Sequence, residues 1–213
     1  MANTNTNTNT DTGAFEIDSF RSKLHTYGTV RPYLFKVEFT AQSLQNIQAL
    51  KGGGGDNISL TDLSFMVQGT KIPDRKVSKL EVNWQGYKYG VGGISEWDDW
   101  TVEFLADGDN KGQKLFRAWI DAIHNPATNF HGKPSQYIAT NGVFIRQIDE
   151  QGKFGPSYEL LNVWPVSVTG LDLKYSETGT VPNFTVTFTY SHLLEHFPTT
   201  DANSNITGNI ATV

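Results

Sequence analysis

The sequence predicts a mostly β fold, an antiparallel β-sandwich or partly closed barrel with one flanking α-helix. Three observations carry this. Apolar and polar residues alternate with period two in several runs, the chain holds 20 glycines with 12% aromatic residues, and only one segment has helical period. Alternating strands bury one face and wet the other, as antiparallel sheets do, while glycine supplies the turns between short strands.

The strands can be taken in order. Phe35, Val37 and Phe39 alternate with Lys36 and Glu38. Leu80, Val82 and Trp84 alternate with Glu81, Asn83 and Gln85, and the polar face continues through Tyr87 to Tyr89. Trp100, Val102 and Phe104 alternate with Thr101 and Glu103. From Asn183 to Tyr190, Phe184, Val186, Phe188 and Tyr190 share one face and Thr185, Thr187 and Thr189 the other. Further strands are expected at 61–68, 137–149 and 158–176. From Gln113 to Asn125 the apolar residues Phe116, Trp119, Ile120 and Ile123 fall at i, i+3, i+4 and i+7, one face of a helix. Asp109 or Asn110 can cap its start, and Asn125–Pro126 stops it.

Length and charge bound the function. A chain of 213 residues supports one sizeable core. A net charge of −5 argues against a nucleic-acid site built on a basic face. The absence of cysteine excludes disulfides and thiolate metal sites, which makes a cytoplasmic place of assembly the natural expectation. The opening MANTNTNTNT has neither the basic nor the apolar region of a secretion signal, so the glycosylation patterns at Asn57, Asn183 and Asn205 carry no meaning. No apolar run approaches the roughly 20 residues of a membrane span. Residues 1–13, the glycine run at 51–57 and residues 198–213 are poor in core-forming side chains and read as polar extensions or a loop tip. The domain division is an N-terminal arm at 1–30, a β domain at 31–197 and a polar extension at 198–213.

Catalytic patterns are few and fail on their own chemistry. His192-Leu-Leu-Glu195-His196 fits a zinc-peptidase pattern, but it follows a strongly alternating strand and leaves no room for the helix that must present both histidines. Gly52–Gly55 lacks the Gly-Lys-Ser/Thr end of a phosphate loop, and Gly90, Gly92 and Gly93 read as turn glycines. Asp98 and Asp99 would point to opposite faces of a strand, and Asp107 and Asp109 have no bidentate glutamate at the twelfth position of a calcium loop. His25, His124 and His131 read as single surface residues. The expectation is a chain that is not an enzyme and needs no cofactor.

The residues that remain match a known family. RPYLFKVEF at 31–39, FMVQGTKIPDRKVSKLEVNWQGYKYGVGGISEWDDWTVEF at 65–104, QKLFRAWIDAIHNP at 113–126, YELLNVWPVSVTGLDLKYSE at 158–177 and NFTVTFTYSHLLE at 183–195 stand in one order and spacing. Together they resemble the tail tube proteins of contractile-tailed, T-even-like bacteriophages over roughly residues 30–195. That resemblance implies hexameric rings stacked into a hollow tube, with a continuous inner β-barrel around the channel. It implies a virion tail protein assembled in the host cytoplasm, with the tail sheath protein, baseplate tube-initiator proteins and a tape-measure protein in the lumen as partners. The resemblance further implies that DNA passes through without specific binding and that the chain inserts into no membrane. It also implies a projecting loop near Gly69–Lys79 that stacks onto the next ring, with Lys71, Ile72, Pro73, Asp74, Arg75 and Lys76 in contact. The N-terminal arm is expected to clip a neighbour through Phe15, Ile17 and Phe20. The extra N-terminal residues, the insertion near 42–58 and the C-terminal extension depart from the family pattern. Alternatives are the tube of a type VI or other contractile injection system, which genomic neighbours would separate, and a monomeric carbohydrate-binding β-sandwich, which would stay monomeric.

Overall fold

The computed structural model describes residues 17–27, 30–40, 60–140, 142–176, 179, 181–197, 199–200 and 206–207. It divides into two compact units, Met1–Leu34 and Phe35–Val213. In the first, α1 spans Ile17–Tyr27, with Asp18 in its first turn where the helix dipole favours an acid. Phe15, the 51–57 run and the 42–58 insertion lie outside the described residues.

The second unit is a sandwich of two four-stranded antiparallel sheets. The first sheet has the order β1 (Phe35–Phe39), β8 (Val143–Ile148), β9 (Phe154–Leu161), β12 (His192–His196). The second has the order β10 (Trp164–Val168), β11 (Asn183–Thr189), β5 (Trp100–Leu105), β2 (Val67–Thr70). Three two-stranded pairs stand outside them: β3 (Arg75–Trp84) with β4 (Tyr87–Trp97), β6 (His124–Asn125) with β7 (Phe130–His131), and β13 (Thr199–Thr200) with β14 (Ile206–Thr207).

The alternation in β1, β5 and β11 orients these strands as the sequence predicts. Val37, Trp100, Val102, Phe104, Val186 and Phe188 are fully buried, and Phe39 and Phe184 nearly so. Helix α3 (Lys111–Ile123) packs Leu115, Phe116 and Trp119 into the same core, with Ile120 and Ile123 half-buried. Phe39 from the first sheet meets Trp100, Phe104 and Phe188 from the second and Phe116 from α3, all with ring centroids within 6.4 Å. Two buried polar side chains here have partners: the Trp119 indole donates to the Tyr137 carbonyl at 2.8 Å, and Gln113 donates to the Thr169 carbonyl at 3.0 Å.

Several local expectations change. Residues 61–68 are not one strand: Leu60–Phe65 form a short helix, α2, which buries Leu63, and β2 starts only at Val67. Leu60 and Leu63 are spaced i, i+3, which is helical spacing rather than alternation. At 137–149, Pro134 starts the one-turn helix α4 (Pro134–Tyr137) and β8 waits until Val143. Gly142 precedes it because any Cβ there would overlap the Leu160 carbonyl. The stretch 158–176 splits where Asn162 takes a left-handed conformation, φ 56°, and β10 ends at Val168. Asn110 holds the cap position of α3, but at φ 53° its side chain makes no capping bond, while Asp109 pairs with Lys111 at 3.1 Å. Helix α3 ends at Ile123, two residues before the expected stop at Asn125–Pro126, with the His124 N–H closing onto the Ile120 carbonyl.

Burial separates two kinds of aromatic side chain. Phe188→Ala removes a fully buried ring that touches Phe39, Trp100, Phe116 and Trp119. It should cost about 3–5 kcal/mol in urea unfolding. Trp84→Ala, at a ring 69% exposed, should leave the subunit's stability within about 0.5 kcal/mol.

Candidate assembly interface

The β3–β4 ribbon is the part of the fold that the core does not explain. Its strands are 10 and 11 residues long and, among the described residues, pair only with each other, and nearly every residue on both faces is exposed. At its tip Gln85 and Gly86 both have positive φ, 47° and 86°, as a tight two-residue hairpin turn requires. Gly90, Gly92 and Gly93 lie inside β4 rather than in a turn. A Cβ on Gly90 would run into the Lys79 side chain, and one on Gly93 into Ser78, where the register shifts between Val77 and Lys79.

Cross-strand pairing sorts the distal ribbon into two faces. Leu80 faces Val91, Val82 faces Tyr89 and Trp84 faces Tyr87, giving six apolar side chains on one face, each 44–80% exposed. The opposite face carries Lys79, Glu81, Asn83 and Lys88, and Glu81 bridges Lys79 at 3.1 Å and Lys88 at 3.8 Å. The alternation at 80–85 is therefore real, but its apolar face is not core.

The segment expected at the tip of a projecting loop is the root of this hairpin. Gly69 and Thr70 end β2, Lys71–Asp74 connect, and Arg75 and Lys76 begin β3. Lys71 bonds Asp74 at 2.7 Å, which holds the Asp74 carboxyl below its usual range. Lys76 reaches both oxygens of Asp98 at 2.8 and 2.6 Å, and this bond raises the lysine's pKa. Ile72 packs against the core, and the Arg75 guanidinium lies 5.2 Å from the Trp97 ring centre. Trp97 in turn meets Tyr190, whose hydroxyl donates to the Asp98 carbonyl at 2.9 Å, while the Asp98 N–H donates to the Asp74 carbonyl at 3.3 Å. These contacts tie the hairpin root to the end of the second sheet, and sequence spacing gave no sign of them.

On the second sheet, the face away from the core carries Ser167, Thr187 and Thr101 in one row and Thr185 beside Glu103 in the next, with Thr189 beyond. Glu103 is the one charged side chain among these six, and it lies over Gly69 on β2. Both edge strands of this sheet, β2 and β10, have one unpaired side among the described residues. The first sheet's outer face differs: Lys36, Glu38 and Arg146 form an ion-paired cluster at 2.8 and 3.0 Å.

No catalytic grouping assembles among the described residues. His192 and His196 lie on one face of strand β12 and Glu195 on the other, and His196 is engaged with Glu159 at 3.0 Å. The described residues hold no group of three or more His, Asp or Glu that could bind a metal. Asp98 is committed to Lys76. His124 and His131 are not single surface residues: the β6–β7 pair stacks their rings at 4.4 Å. On α1, Ile17, Phe20 and Leu24 are 72, 62 and 44% exposed and share one face.

Tyr190 links this geometry to pH. Burial, followed by the nearby Asp98, Asp99 and Asp74 carboxylates, pushes its phenol up from 10.0 to about 12. A raised pKa favours the neutral form in the folded state, so this contribution is complete below pH 10 and is lost as pH rises towards 12. Wild type should therefore lose more stability than Tyr190→Phe across pH 10–12, read as the difference between their denaturant midpoints.

Comparison with known proteins agrees with this reading. A family model described as phage tail tube protein matches residues 30–196. The chain is 26% identical over 178 residues to tail tube protein gp19 of Enterobacteria phage T4, covering 83% of this chain and 92% of that one. It is 25% identical to the phage T6 tail tube protein gp19 over the same shares. Among solved structures it resembles a chain of the extended PVC sheath–tube complex of an extracellular contractile injection system, at TM-score 0.53 and 12% identity over 83% of this chain and 97% of that one. A chain of the anti-feeding prophage tube-terminating cap gives 0.54 and 13% over 79% and 91%. This chain belongs to the phage tail tube protein family and is a structural subunit of a tail tube.

Proposed function

We propose that the chain forms hexameric rings that stack into the inner tube of a contractile phage tail, with the hydroxyl-rich face of the second sheet turned to the channel. The observation that carries this is the second sheet itself: one face is sealed in the core, and among the described residues the other is cation-free and both edges are unpaired. Joining β2 of one subunit to β10 of the next would satisfy those edges and close the sheet into a ring-wide barrel. A wall of Thr101, Thr185, Thr187, Ser167 and Glu103 offers DNA no lysine or arginine to pin a phosphate, so the polymer slides. The ion-paired outer face of the first sheet then looks outward, towards a sheath such as the one around the PVC tube. On this reading a tape-measure protein fills the lumen before DNA, baseplate proteins initiate the tube, and assembly proceeds in the host cytoplasm.

The hairpin root supplies the stacking contact through Lys71–Lys76, because it fixes where the ribbon points. The arm at 1–30, through Phe15, Ile17 and Phe20, clips a neighbouring subunit around the 31–197 domain, since an 11-residue helix with an exposed apolar stripe is marginal alone.

Negative-stain electron microscopy of the purified chain, from dilute to concentrated and with or without tail baseplates, tests the assembly. Hollow tubes or six-fold rings are expected, and persistent monomers in every condition would refute it. Reversing the charge at Arg75 and Lys76 together should shorten or abolish tubes while the unfolding midpoint stays near wild type; normal tubes would reject the role of the root. Deleting residues 1–24 should reduce tube length or thermal stability, and an unchanged tube would remove the clip. Thr101→Lys with Thr187→Lys should leave tail length normal but slow DNA ejection, more strongly at low salt.

A further inference from the structure

Two imidazoles face each other where α3 gives way to the short β6–β7 hairpin. His124 and His131 are cross-strand partners, with ring centroids 4.4 Å apart and planes tilted by 32°. The Gly132 N–H donates to the Ile123 carbonyl at 2.9 Å, one step outside this pair, so the two residues do not bond each other's backbone. Pairs of that kind bring their Cα atoms to about 4.5 Å and their side chains closest together. Ring stacking supports a hairpin, but phenylalanine or tyrosine would stack as well. Imidazole adds ring nitrogens that can act as metal ligands.

A third donor stands beside them. His124 Nε2 lies 3.2 Å from Asn129 Oδ1, at the long end for an N–H···O bond. That spacing also suits two ligands of one metal ion, since metal–nitrogen bonds near 2.0–2.1 Å at tetrahedral angles set donors roughly 3.3 Å apart. The platform is fixed from both sides. The His124 N–H closes α3 on the Ile120 carbonyl, and any Cβ on Gly132 would overlap the Ala122 carbonyl, so β7 lies tight against the helix end. In the turn, the Asn129 N–H donates to the Asn125 carbonyl at 2.8 Å and the Ala127 N–H to Asn125 Oδ1 at 2.9 Å. Asn129 itself sits in the left-handed region at φ 53°, which asparagine tolerates. His131 and Asn129 are exposed and His124 half-buried, so an ion can enter from solvent.

We propose that His124, His131 and Asn129 form a chelating site for a divalent transition cation that prefers imidazole, Zn²⁺ or Cu²⁺. The ion takes the place of the proton on His124 Nε2, which leaves to solvent. Asn129 Oδ1 changes from hydrogen-bond acceptor to ligand, and a small turn of the His131 side chain aims a ring nitrogen at the same point. Water fills the remaining positions. No third histidine or carboxylate is needed, because the amide oxygen is the third donor. All three donors come from one chain, and the bound ion ties the β6–β7 hairpin to the end of α3. His192 and His196 offer no rival site: four positions apart on β12, they stand roughly 13 Å from each other.

Untagged chain, stripped with a chelator and dialysed, is titrated with Zn²⁺, and bound ion is counted by equilibrium dialysis. Wild type should saturate at one ion per chain with a rise in melting temperature, and bound Cu²⁺ should show the paramagnetic-resonance signature of two imidazoles. His131→Phe keeps a stacked ring without its nitrogens, so the metal-free melting temperature should hold while uptake is lost. Asn129→Asp, also tolerated in the left-handed region, puts an anionic oxygen in the amide's place and should tighten Zn²⁺ binding. His25→Gln with His192→Gln should leave uptake unchanged. No saturable uptake by wild type, or uptake that persists in His131→Phe, would overturn the site, as would uptake lost in the His25 and His192 variant. Should His131→Phe melt early, the copper spectrum of wild type decides, and a single-imidazole signature would reject the pair. Unchanged affinity in Asn129→Asp would remove Asn129 as the third donor.

Discussion

Phe39 is the point at which the two sheets and the helix become one body. Its ring is in reach of Trp100, Phe104 and Phe188 across the sandwich and of Phe116 on α3. Burying this aromatic cluster is the main favourable term available to a chain with no cysteine and so no disulfide. It forces the even-numbered residues of β11 inward and therefore turns Thr185, Thr187 and Thr189 outward. The composition of the outer wall is thus a consequence of core packing: a one-residue slip of register would put phenylalanines where the threonines now stand.

The hairpin follows from the same constraint in reverse. The core takes the apolar faces of two sheets, helix α3 and Leu63 of α2, and the ribbon at 75–96 lies outside it. What holds the ribbon is its root, where Lys76 grips Asp98, Arg75 covers Trp97 and the Tyr190 hydroxyl closes on the Asp98 carbonyl. Because Tyr190 closes the core strand β11 and Asp98 opens β5, the direction of the ribbon is coupled to the packed sandwich rather than left to a free linker. A subunit of this kind is incomplete alone. Among the described residues it carries unpaired edges on the second sheet, a polar wall between them and an exposed apolar face on the β3–β4 ribbon.

Most of the architecture was legible in the sequence because period-two alternation and a single 3.6-period run report directly which face of an element meets apolar neighbours. The strands at 35–39, 100–105 and 183–189 and the helix near 113–123 all follow from such local patterns. Local pattern was weaker where a single residue redirected the chain: Pro134 began a helical turn, Asn162 broke one expected strand into two, and the i, i+3 spacing of Leu60 and Leu63 made a helix of an expected strand.

Tertiary structure alone decided where each patterned face is spent. Leu80, Val82 and Trp84 alternate as well as Trp100, Val102 and Phe104 do, yet the first set is exposed and the second fully buried. Alternation fixes that a strand has an apolar side; it does not fix whether that side meets its own core or another molecule, because that depends on which strands pair and how much core is already filled. For the same reason the charged segment at 71–76 looked like a loop tip in sequence and proved to be a root. Its partners Asp98 and Trp97 lie more than 20 positions away, and only the folded sheet brings them together.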